Sequence, residues 1–167
     1  MYYQLPEINQ FSQAEFTVAF GEIFEQTPSI ATKAWCDRPF EKLDDLYQSL
    51  VKVVKEFSIE QQLQLICAHP DLGSRLKMAE SSVQEQSSVG LDRLSPEEFE
   101  MFQSLNQEYR DRFGFPFIIA VRNHTRASIL EAFRARVKND RRTEIQTAIS
   151  EILEIGRFRL CDRVSPH

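Results

Sequence analysis

Histidine, cysteine and glycine are all scarce in this chain of 167 residues, with three, three and five respectively, and each shortage removes a kind of chemistry. Cys36, Cys67 and Cys161 show neither paired spacing nor an even count, which points to reduced thiols rather than a disulfide framework. His69, His124 and His167 form no helical ligand pair and join no Cys-x-x-Cys knuckle, so neither a structural nor a catalytic zinc is expected. The glycines are dispersed, and no phosphate-cradling loop is indicated. No run approaches the roughly 20 apolar residues of a membrane span. The opening MYYQLPEINQ lacks the layout of a signal peptide, and the closing RVSPH carries no peroxisomal address. A cytoplasmic protein is expected. Positive charge is also short, 20 Lys and Arg against 25 Asp and Glu, with no basic stripe. Nucleic acid and anionic membrane are therefore poor partners, and a small molecule or a protein is the better expectation.

What is present is apolar and periodic. Hydrophobic residues make up 42% of the chain, and its 13 phenylalanines can fill one core, so a single soluble domain over 1–167 is expected. Ser12 and Glu15 form a capping box ahead of Phe16, Phe20, Ile23 and Phe24, which predicts a helix over 12–26. A short helix over 30–35 follows. Leu43, Leu46, Tyr47, Leu50 and Val54 draw an apolar stripe ending near Phe57, and Ser58 with Gln61 caps a helix carrying Ile59, Leu63 and Ile66. Beyond a polar segment over 80–88, Ser95-Pro96-Glu97-Glu98 starts a helix that Gly114 can close in the left-handed conformation. FGFPFIIAV, residues 113–121, reads as extended and buried, and two further helices cover about 125–137 and 141–160. The pattern predicts an all-α bundle of about eight helices.

Chemistry concentrates in AHPDLGSR, residues 68–75. Proline disfavours the α region for the residue before it, so His69 falls at a helix exit and is a candidate acid or base. Ser82 and Glu85 have the spacing of a capping box, and they would either start a helix or hold polar atoms of a ligand. Cys67 is assigned to the core. Arg157 and Arg159 in GRFRL flank the last apolar stripe, where either can snorkel or reach a carboxylate. The non-helical backbone near Ile118 to Val121 must hydrogen-bond something, and a ligand is one answer. On residues alone, a non-catalytic helical interaction module is the rival to an enzyme.

AHPDLG, SxxEQ, GLDRL, LNQEYRDRFGFPFIIAV and RFRL occur in that order from about Phe11 to Asp162. The ordered set resembles the 2-oxo-4-hydroxy-4-carboxy-5-ureidoimidazoline (OHCU) decarboxylases of urate breakdown. The resemblance implies a helical bundle, usually homodimeric, that converts OHCU to (S)-allantoin without cofactor or metal. It implies His69 as the catalytic histidine, beside Pro70. A ligand segment falls on Ser82, Val83, Gln84, Glu85 and Gln86, with Glu85 also catalytic. A ligand-binding backbone falls on Ile119, Ala120, Val121, Arg122 and Asn123, and an arginine on the last helix is placed at Arg157 ahead of Arg159.

Overall fold

Apolar residues at helical spacing produce helices nearly throughout. The computed structural model describes residues 2–74 and 80–165, apart from the side chains of 80 and 81. Arg75 and His167 lie outside the described residues. Nine α-helices form among the described residues: α1 Leu5–Ile8, α2 Gln13–Phe20, α3 Ser29–Ala34, α4 Leu43–Lys55, α5 Ile59–Cys67, α6 Glu80–Ser88, α7 Pro96–Phe113, α8 Arg126–Arg136 and α9 Arg141–Cys161. Trp35–Asp37 and Val121–Asn123 are 3-10 turns. No strand occurs among the described residues, and Tyr3 and Val164 make an isolated bridge. The all-α expectation holds, and the helix beyond the eight expected is the single turn α1.

The predicted caps form. Ser12 Oγ accepts the Glu15 N–H at 3.3 Å while the Glu15 carboxylate accepts the Ser12 N–H at 2.8 Å. Ser58 with Gln61 and Ser95 with Glu98 close the same reciprocal pairs. Gly114 ends α7 at φ 80°.

Two helix readings are corrected. The helix expected over 12–26 stops at Phe20, and the chain turns through 21–27 with Gln26 at φ 47°. Ile23 and Phe24 are nonetheless buried, so the turn delivers the same apolar residues to the core that a longer helix would have. In α5, Ile59 is 49% exposed, whereas Leu65 and Ile66 are buried. Cys67, assigned to the core, is exposed, as are Cys36 and Cys161. One step beyond Ile66 turns the side chain by about 100°, off the buried face.

Two compact units form, residues 1–65 with 153–167, and residues 66–152. In the first, Phe16, Phe20, Ile23, Leu46 and Leu50 are buried, and the Tyr47 hydroxyl donates to Leu153 O at 3.1 Å. In the second, Phe102, Tyr109, Phe115, Phe117 and Phe133 form an aromatic core. Phe117 stacks on Phe133 with centroids 3.7 Å apart and meets Tyr109 edge-on at 5.2 Å.

Candidate active site

The second unit contains His69, the 82–86 segment and the 119–123 backbone. Helix α5 ends at Cys67, so His69 does stand at a helix exit, where its N–H still reaches Ile66 O at 3.2 Å. The residue is 8% exposed. The chain then runs through Pro70 and turns at Gly73, φ 69°. Polar helix side chains fasten this loop. Gln86 Oε1 accepts the Gly73 N–H at 3.0 Å, Asn106 Nδ2 donates to Leu72 O at 2.9 Å, and Arg110 Nε donates to Asp71 Oδ1 at 2.9 Å.

Ser82, Glu85 and Gln86 are buried on one face of α6, whereas Val83 and Gln84 are exposed. Spacing of three and four residues gives that common face. Ser82 lies inside α6, not ahead of it, so Ser82 and Glu85 are not the N-cap pair of this helix. Glu85 Oε1 lies 4.0 Å from Arg122 Nη2, which links α6 to the 3-10 turn Val121–Asn123.

The FGFPFIIAV segment is extended and buried as expected, and Ile119, Ala120 and Val121 are at most 5% exposed. Arg122 and Asn123 are exposed. Side chains take several of its backbone groups. Arg136 Nη1 donates to Ile118 O at 2.6 Å, and Ala120 N donates to Glu151 Oε2 at 3.3 Å.

The two arginines of the last helix lie in the first unit and differ sharply. Arg157 is on the surface, paired with Glu154 at 2.7 Å, and the paired carboxylate raises its pKa. Arg159 is 3% exposed, with Nη1 3.2 Å from Ile23 O and 3.3 Å from Glu25 Oε2.

A cavity of about 670 Å³ between residues 71–74 and the Phe99, Gln103 and Asn106 side of α7 is lined by none of the residues selected from sequence. Among the described residues no group of three or more His, Cys, Asp or Glu is gathered to hold a metal ion. The sequence reading missed Asn106, Arg110, Arg136 and Glu144. Asn106 had a signal, since it interrupts the apolar stripe Phe102, Tyr109 and Phe113 on a buried face.

These features define an all-α protein with a histidine and a glutamate buried on segments that helical side chains hold in place. Comparison with known proteins narrows this. The sequence pattern of the OHCU decarboxylase family matches residues 9–161. The chain is 41% identical over 160 residues to the 2-oxo-4-hydroxy-4-carboxy-5-ureidoimidazoline decarboxylase of Halalkalicoccus jeotgali, covering 96% of this chain and 91% of that one. The enzyme of the same name from Haloferax volcanii is 43% identical over 161 residues, with 96% of each chain covered. A crystal structure of (S)-allantoin synthase superposes with a TM-score of 0.79 at 30% identity, over 97% of this chain and 54% of that one. The chain belongs to the OHCU decarboxylase family.

Proposed function

We propose that this protein catalyses the decarboxylation of OHCU to (S)-allantoin, with His69 as the acid–base group and without metal or organic cofactor. The observation that carries the reading is the burial of His69, Ser82, Glu85 and Gln86 in one unit, on the motifs that match a family of this activity. The match over 9–161 runs through both compact units, which supports one functional domain over 1–167.

Loss of CO2 leaves an electron pair on the ring carbon, and the substrate's conjugated C=N and carbonyl groups accept it. The protein need only orient the ring, exclude water and manage protons. An imidazole with an unperturbed pKa near 6.5 suits that proton work. His69 takes a proton from the substrate hydroxyl or delivers one to the carbanionic carbon, and delivery to one face gives a single allantoin enantiomer. Glu85 accepts from ureido or ring N–H groups, Ser82 and Gln86 fix the heterocycle, and Pro70 shapes the wall beside the imidazole. Val83 and Gln84 form the outer margin of that segment, and the backbone from Ile119 to Asn123 supplies further hydrogen bonds.

For the arginine, we now favour Arg159 over Arg157. Both guanidiniums pair with a glutamate, but that of Arg159 is buried and also held by Ile23 O, so its orientation is fixed, whereas that of Arg157 is exposed. We further propose a cytoplasmic homodimer. No helix of the described residues is long and apolar enough to cross a membrane.

The test is a coupled assay. Urate is converted by urate oxidase and the upstream hydrolase, and the chain, dialysed against a strong chelator, is added while optical rotation is followed. Rapid appearance of optically active (S)-allantoin is expected. Slow racemic product, as without the protein, would refute the reading, and activity restored only by a divalent metal would refute the cofactor-free route.

A further inference from the structure

A single turn of α7 is linked, on one side directly and on the other through Glu144 and Arg136, to residues beside two of the segments assigned to substrate. Asn106, 5% exposed, holds Leu72 O. Arg110 holds both carboxylate oxygens of Asp71, at 2.9 and 3.2 Å. Between them, the fully buried Tyr109 donates its hydroxyl to Glu144 Oε1 at 2.5 Å. The same oxygen accepts from Arg136 Nε at 2.8 Å, and Asn139 Nδ2 donates to Glu144 Oε2 at 3.0 Å. Arg136 in turn grips Ile118 O, with its guanidinium 4.3 Å from the centre of the Phe117 ring. One arm thus leads to the residues just after His69, and the other to the residue just before Ile119.

We infer that Asn106, Tyr109 and Arg110 are positioning residues that set the His69 loop and the Ile119–Asn123 backbone in register for the reaction. The inference rests on the function proposed above. Stability alone accounts poorly for these groups. Burying a charged network gains little over apolar packing of the same volume, and Asn106 Oδ1 is buried with no donor reaching it among the described residues, a cost without a packing return. What the network does supply is fixed geometry. Burial and the Glu144 carboxylate raise the Tyr109 pKa, so the phenol keeps the proton that it donates. Displacing a catalytic group by about 1 Å can cost about a hundredfold in rate.

The two arms predict different kinetic signatures. The Arg110–Asp71 side chains are 39% and 31% exposed, so R110Q should leave the thermal midpoint nearly unchanged. Its kcat should fall about tenfold or more, with KM within about twofold, because the histidine is misplaced while substrate contacts remain. R110K, keeping the charge but not the guanidinium fork, should lie between the two. Y109F should raise KM about fivefold or more, through a loosened substrate-binding backbone. R110Q alone decides the matter if Y109F does not fold. Wild-type kcat and KM in folded R110Q would overturn the inference while leaving the proposed reaction intact. A wild-type protein inactive on OHCU would overturn both.

Discussion

Gln86 Oε1 accepts the backbone N–H of Gly73 at 3.0 Å, and Gly73 is the left-handed residue at which the chain turns after His69. Helix α6 therefore does two things, presenting a buried polar face and fastening the chain after His69. At φ 69° a side chain is strained, and a Cβ on Gly73 would stand 2.9 Å from Leu94 Cδ1. Gly73→Ala should lose about 1–2 kcal/mol of stability and lower activity as the Gln86 contact shifts. Urea denaturation and a kcat measurement check this. Unchanged values would show that the loop tolerates a different turn.

His69→Ala should keep the fold and cut kcat by about two to four orders of magnitude, the usual worth of an acid–base group. Circular dichroism and turnover on freshly generated substrate provide the check. Near-normal kcat in a folded variant would remove this histidine from the mechanism.

Glu85→Ala should raise KM and lower kcat, since a carboxylate on the buried face of α6, 4.0 Å from Arg122, is lost. Loss of a helix cap typically costs about 1 kcal/mol, but Ser82 lies within α6, so the thermal midpoint should move less than the kinetics do. A variant that changes only stability would return Glu85 to a structural role.

The fold was legible where periodicity and punctuation agreed. Ser95-Pro96-Glu97-Glu98 and Gly114 marked both ends of α7 correctly, because capping chemistry is local. The end of α2 was not legible, since Ile23 and Phe24 continue the helical period although the backbone there has turned. Burial of Cys67 was misjudged because one residue of helix phase separates it from Ile66. Ser82, Glu85 and Gln86 could be chosen from their motif, but spacing could not distinguish a cap from a ligand face without knowing that Ser82 lies within α6. The Arg136–Glu144 pair lay beyond sequence reasoning, as two ordinary charged residues become a buried pair only through tertiary packing.

Arg157→Gln and Arg159→Gln should separate clearly. Arg157 is in an exposed pair with its helical neighbour Glu154, worth at most about 0.5 kcal/mol, and its loss should leave activity close to wild type. Arg159→Gln deprives the buried Glu25 of a cationic partner, at a cost of about 3–5 kcal/mol, and should lose turnover per folded molecule. Arg159→Lys keeps the charge and tests whether the fork is needed. Selective loss of activity in Arg157→Gln would restore the order read from sequence.

Strong acid should loosen the start of α9. Asp140, immediately before this helix, accepts from the Thr143 N–H at 2.9 Å and the Thr143 hydroxyl at 2.8 Å, and these bonds lower its pKa below 3.8. A carboxylate with a depressed folded pKa stabilises the protein above its unfolded pKa, and that contribution is lost as pH falls through the folded value. Asp140→Ala should therefore lower the urea midpoint near pH 7, with the gap to wild type closing as pH falls through the folded value, which lies below 3.8. The effect should reach the site. Glu144 sits in the first turn of α9 and holds both Tyr109 and Arg136, so a frayed helix start should raise KM for the substrate as Y109F does. A stability gap that stays constant as pH falls from neutrality to well below 3.8 would mean that the carboxylate charge contributes nothing to the cap.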